Sequence, residues 1–167
     1  MFGRRRAQKS SPVAIDHGAQ VLSVRWDEDD ATERERAAAR DRAWRELNAV
    51  VAEAVIHQDS ATEVLRAISR REPLAELAPR GGPLVRRFCE LRDRLPESDD
   101  PDLRRITDVL GPVFDHHALM LSSSLDMLAA DWRSERIVEQ LERITGLGPP
   151  AERLEAIRME LVASSLS

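Results

Sequence analysis

Apolar residues recur at three- and four-residue spacing along most of the chain, the signature of helices with one buried face. From about Ala31 to His57 the pattern is helical. Glu33 to Arg45 is charged, with Ala37–Ala39 as its apolar content, and Trp44, Leu47, Val51, Ala54 and Val55 then form a stripe. This helix is expected to start in solvent and run into the core. Ahead of it, Val21, Leu22, Val24 and Trp26 read as a short extended strap laid on the core, ended by the acidic run Asp27–Asp30. Ser60-Ala61-Thr62-Glu63 has capping-box spacing and predicts a restart as a second helix, with Val64, Leu65 and Ile68 inward and Pro73 as its stop.

Pro73, Pro79, Gly81, Gly82 and Pro83 predict a loop over 72–83. Pro83 suits the first position of a third helix, which carries Leu84, Phe88, Leu91 and Leu95 on one face and ends at Pro96. Asp99 or Asp100 is expected to cap the next helix, beside Pro101. The longest stripe follows: Leu103, Ile106, Leu110, Phe114, His117, Leu121, Leu125, Leu128 and Trp132. Gly111-Pro112 lies inside it and predicts a kink or a break between Leu110 and Val113, giving one bent helix or two. Ser134 can cap a further helix with Ile137, Val138, Leu141 and Ile144 inward and Gly146 closing it in a left-handed conformation. Pro149-Pro150 opens the last helix, whose buried face is read as Leu154, Ile157, Leu161 and Val162. The expectation is an all-α protein: one bundle-like or orthogonal domain of six or seven helices over 21–167, behind a flexible basic tail at 1–20.

Composition supports helices. Aromatics are 4% with no Tyr, and Ala, Leu, Glu and Arg dominate. At 167 residues the chain fits one domain and needs no staple to fold. Its one cysteine, Cys89, rules out an internal disulfide. There is no apolar run long enough to span a membrane, and no apolar segment follows Arg4, Arg5, Arg6 and Lys9 as a signal peptide would require. A cytoplasmic location is therefore expected, with at most a weak contact between the basic tail and a membrane. The net charge of −5 speaks against nonspecific nucleic-acid binding by the whole chain.

Convergent chemistry is hard to find. Asp115-His116-His117 are consecutive, so on a helix their side chains point about 100° apart and cannot share an ion. His117 lies on the apolar stripe and reads as a buried neutral histidine bonded to a backbone or serine oxygen, with His116 at the rim. A metal-dependent helical enzyme around His57, His116 and His117 is the remotest of three readings. Cys89 reads as a small packed hydrophobe. Ser122-Ser123-Ser124 lacks the Gly-x-Ser-x-Gly setting of a nucleophile elbow. No catalytic, cofactor or metal residue is assigned, and no cofactor is expected.

Charge is segregated along the chain. Residues 66–94 carry eight Arg against four acids, whereas 95–132 carry eight acids against two Arg. Arg80-Gly81-Gly82-Pro83 ahead of a helix could present backbone N–H groups to an anion, with Arg86 and Arg87 adding charge. Arg80, Gly81, Gly82, Arg86 and Arg87 are thus the candidate contact residues, for an anion or for a partner. The favoured reading is a non-enzymatic interaction or regulatory protein whose partner is another protein or a second copy. The alternative is an anion-binding module, for a phosphorylated small molecule or nucleic acid, using 66–94. Met120 and Met127 look like surplus apolar positions for such contacts.

Overall fold

The computed structural model describes the backbone of residues 17–131, 135–144 and 146–165, and side chains from residue 30 onward apart from 131, 141 and 165. All five elements among the described residues are α-helices: α1 (His17–Ser69), α2 (Leu74–Asp93), α3 (Pro101–Asp131), α4 (Glu135–Glu142) and α5 (Pro149–Ser165). The chain divides into two compact units, Met1–Ala38 and Ala39–Ser167. The described part of the first is helix, and its side chains from Asp30 to Ala38 are all exposed. Most of the expected tail lies outside the described residues. Residues 17–20 are already helical, and so are Val21 to Trp26. The strap reading is corrected, since beyond Gly18 no proline or glycine interrupts a run of compatible residues.

Helix count is the main correction, and one cause explains it: stripes that stay in phase override local stop signals. In α1 the buried positions Leu47, Val51, Ala54, Gln58, Ala61, Leu65 and Ile68 keep three- and four-residue spacing straight through the Ser60 capping box. Breaking the helix there would throw the second half out of register with the core. The Ser60 hydroxyl instead donates back to the Ile56 carbonyl, 3.4 Å away. The helix ends at a Schellman motif. Arg71 N–H donates to Ile68 O at 2.9 Å and Glu72 N–H to Ala67 O at 3.1 Å, with Arg71 itself at φ 61°.

The 72–83 loop is likewise replaced by helix. α2 begins at Leu74 and contains Pro79 and Pro83. Leu77, Gly81, Leu84, Phe88 and Leu91 form its buried stripe, in phase across both prolines, which sit on the exposed side. Gly81 meets its neighbours closely. A Cβ there would lie 2.9 Å from Leu125 Cδ1 and 3.3 Å from Val64 Cγ1, so three helices converge on a position without a side chain. α3 is one helix through Gly111-Pro112, with Pro112 exposed. The proposed cap Ser134, and Trp132, lie outside the described residues. α4 stops at Glu142, before Gly146; Gly146 (φ 150°) and Gly148 (φ 67°) instead shape the turn into α5 around buried Leu147.

Within the second unit, cross-contacts fix directions. Arg40 reaches Asp100 and Gln58 meets His117, so α1 and α3 run parallel. Val64 opposes Gly81 while Glu53 pairs with Arg94, so α2 runs antiparallel to α1. Arg105 pairs with Glu160 and His116 with Leu147, so α5 returns antiparallel along α3. The core is the apolar stripe of these helices, with Phe88 and Phe114 fully buried at its centre. Asp100 starts α3 as expected. Its Oδ1 accepts the N–H groups of Asp102 (2.9 Å) and Leu103 (3.2 Å), and its other oxygen pairs with Arg40. Two apolar readings change. Met120 and Met127 are half-buried against the core, and Val162 is 49% exposed, one step round α5 from the face that carries Leu161.

Candidate functional site

The arginines of α2 divide by direction. At about 100° per residue, Arg80, Arg87 and Arg94, seven apart, form one row down the helix. That row faces α1. Arg94 pairs with Glu53 at 2.7 Å, and Arg87 pairs with the same carboxylate and with Glu90 at 2.6 Å. Arg80 reaches Glu72 at 3.4 Å. On the other flank Arg92 binds Asp115 of α3 at 2.9 Å. These guanidinium groups fasten α2 to its two neighbours. The effect shows in their titration. Hydrogen bonding from Arg94, with added pull from Arg87, holds the Glu53 carboxyl below its ordinary value against partial burial. Glu90 and Glu53 together raise Arg87.

Arg86 differs. It falls about 180° around the helix from buried Leu77, is exposed, and makes no ion pair among the described residues. Around it the outer face of α2 is mixed: half-buried Gly82 and exposed Pro83 lie one turn before it and exposed Glu90 and Asp93 one and two turns after it, while Ala75, Ala78 and Pro79, two to three turns toward the N-terminal end, are exposed. Each proline lacks an N–H, so the carbonyls of Ala75 and Pro79, four residues back, receive no helical bond from them. The face therefore combines one guanidinium without an ion-pair partner among the described residues, exposed acids after it and a small apolar stretch before it.

Of the five contact residues expected from sequence, Gly82 and Arg86 lie on this face. Arg87 turns toward α1 and pairs with Glu53, Arg80 pairs with Glu72 in the turn between α1 and α2, and Gly81 is buried. The helix N-terminus invoked for anion binding is corrected: it is at Leu74, and Arg80-Gly81-Gly82 lies in the helix interior, where N–H groups serve the helix. Charge segregation between α2 and α3 resolves mainly into pairs with Glu53, Glu72 and Glu90, and among the described residues only Arg92–Asp115 joins the two helices.

The His116 and His117 rings lie 6.2 Å apart, but the three histidines do not aim at one point. His117 is fully buried and its Nε2–H donates to Gln58 Oε1 at 3.1 Å, not to the backbone or serine oxygen expected. Its edge meets Phe88, with ring centroids 5.0 Å apart. Half-buried His116 bonds the Leu147 carbonyl at 3.2 Å, and His57 stands 3.5 Å from Glu53. Among the described residues no three His, Cys, Asp or Glu side chains are grouped to hold a metal ion. Residues missed from sequence include Gln58, a polar position in phase with the α1 stripe, and Glu53, whose partners are tertiary. The small outer face of α2 was hidden because its prolines read as loop. No helix among the described residues is long and apolar enough to cross a membrane. No protein-family model, curated protein or solved structure matches the chain.

Proposed function

We propose that the protein is a non-enzymatic interaction or regulatory protein that works through protein–protein contact, and that the outer face of α2 around Arg86 receives the partner. The observation that carries this is Arg86 itself. Arg87 and Arg92 tie α2 to α1 and α3 and Arg80 pairs with Glu72 in the turn before α2, while Arg86 is exposed beside Gly82 and Pro83 and makes no ion pair among the described residues. A guanidinium beside small apolar side chains is a fitting anchor for a partner surface, since arginine is enriched at interface hot spots and small neighbours allow close approach. Anion binding would need several donors aimed at one point, and here one guanidinium is free.

The test is affinity capture from the native cell with the full chain and with Arg86→Glu. Arg87 is left intact because its reversal would break the Glu53 and Glu90 pairs. The reading expects one protein to be lost from the Arg86→Glu capture while the melting temperature stays within about 2 °C, as for a surface change of under ~0.5 kcal/mol. Retention of every captured protein by Arg86→Glu would overturn it. So would steeply salt-dependent retention of RNA that Arg86→Glu abolishes, which would favour the anion-binding alternative.

A further inference from the structure

His117 closes a junction of three helices. From α1 it faces the Gln58 amide, from α2 the Phe88 ring, and within α3 the Val113 carbonyl and its neighbour His116. With Nε2–H given to Gln58, Nδ1 is left as an unprotonated acceptor that finds no hydrogen-bond donor. Among the described residues no carboxylate pairs with the ring, and the titratable group that acts on it is another histidine, His116. A proton added here would put a cation among aromatic rings with only neutral oxygens to receive it. The His117–Gln58 bond is also a buried polar tie between α1 and α3, so whatever opens that contact must expose the ring.

We propose that His117 is an acid-sensitive latch between α1 and α3, closed while the imidazole is neutral and released when it takes a proton from water. Burial, with help from His116 and against the Val113 carbonyl, holds its pKa down to about 4 in the folded chain, while an exposed imidazole titrates near 6.5. Between those values the opened state binds one more proton than the closed one. Stability is therefore intact above the higher value and is lost as pH falls through the window. The opening equilibrium should rise about twentyfold from pH 7 to pH 5. The part of that window above about pH 5 lies clear of the ordinary carboxylate range, where Glu53 and Asp100 begin to contribute.

The experiment uses the full chain. Urea unfolding at pH 7, 6 and 5 should give the rise just stated, and NMR of the histidine rings should show His117 neutral at pH 5 in the folded protein. In His117→Gln the pH dependence between 7 and 5 should be largely lost, whereas His57→Gln should keep it and His116→Gln should keep most of it. Unchanged pH dependence in His117→Gln would overturn the proposal. If that variant does not fold, the wild-type ring decides alone: titration of His117 near 6.5 in the folded protein would equally overturn it.

Discussion

Adjacent glycines in α2 should respond to alanine in opposite ways. Gly82 is in the helix interior, half-exposed, and a Cβ there meets nothing within 4 Å. Alanine gains helix propensity and lowers the entropy of the unfolded chain, together about 0.5–1 kcal/mol. Gly82→Ala should raise the melting temperature by roughly 1–4 °C for a domain of this size. Gly81→Ala gains the same propensity but places its Cβ 2.9 Å from Leu125 Cδ1 and 3.3 Å from Val64 Cγ1. The Leu125 methyl can swing, but Val64 is 2% exposed and has little room. Overpacking of this kind costs about 1–3 kcal/mol. The net effect should run from near neutral to about 2 kcal/mol destabilising, so the two variants should differ by roughly 1–3 kcal/mol. Thermal and urea melts followed by circular dichroism would measure this. Destabilisation by Gly82→Ala of more than about 1 kcal/mol would refute the helical placement and revive a glycine loop at this point.

Three further outcomes follow from named contacts. Asp100→Ala removes the α3 cap and the partner of Arg40, and should cost about 1–2 kcal/mol, while Asp100→Asn should keep most of the cap; urea melts of both would show it. Arg71→Gly relieves a left-handed backbone worth about 1–2 kcal/mol and loses an exposed ion pair with Glu142 worth under about 1 kcal/mol, so a net gain in melting temperature is expected, and Glu142→Ala alone should change it little. Glu53 is held below its ordinary value by Arg94 and Arg87. Its contribution should therefore be complete above the usual carboxylate range and fade as pH falls through its lowered pKa, and Glu53→Gln should flatten that part of a pH–stability curve.

Much of the fold was legible because burial leaves a periodic trace. The stripes of α1, α3 and α5, the Asp100 cap and the burial of His117 all follow from residue type and spacing. Element ends were harder, for a physical reason. A capping box at Ser60 and a Pro-Gly cluster at 79–83 are local signals worth about 1–3 kcal/mol each, while a stripe kept in register buries several large side chains at ~1.5–3 kcal/mol apiece. Packing wins, and α1 and α2 run on. The candidate site was legible only in part. Arg86 and Gly82 were singled out, but which arginine is free depends on Glu53 and Glu72 folding back against α2. Spacing along the chain carries no trace of those partners.

The most direct test of an interaction role for α2 is site-specific photo-crosslinking in the native cell. A photoreactive residue in place of Ala78, exposed on α2 two turns before Arg86, would be compared with one in place of Glu152, exposed on α5. The account predicts a discrete adduct with one protein from position 78, absent from position 152 and lost when Arg86→Glu is added. Adducts from position 78 only to nucleic acid, or the same adducts from both positions, would contradict it.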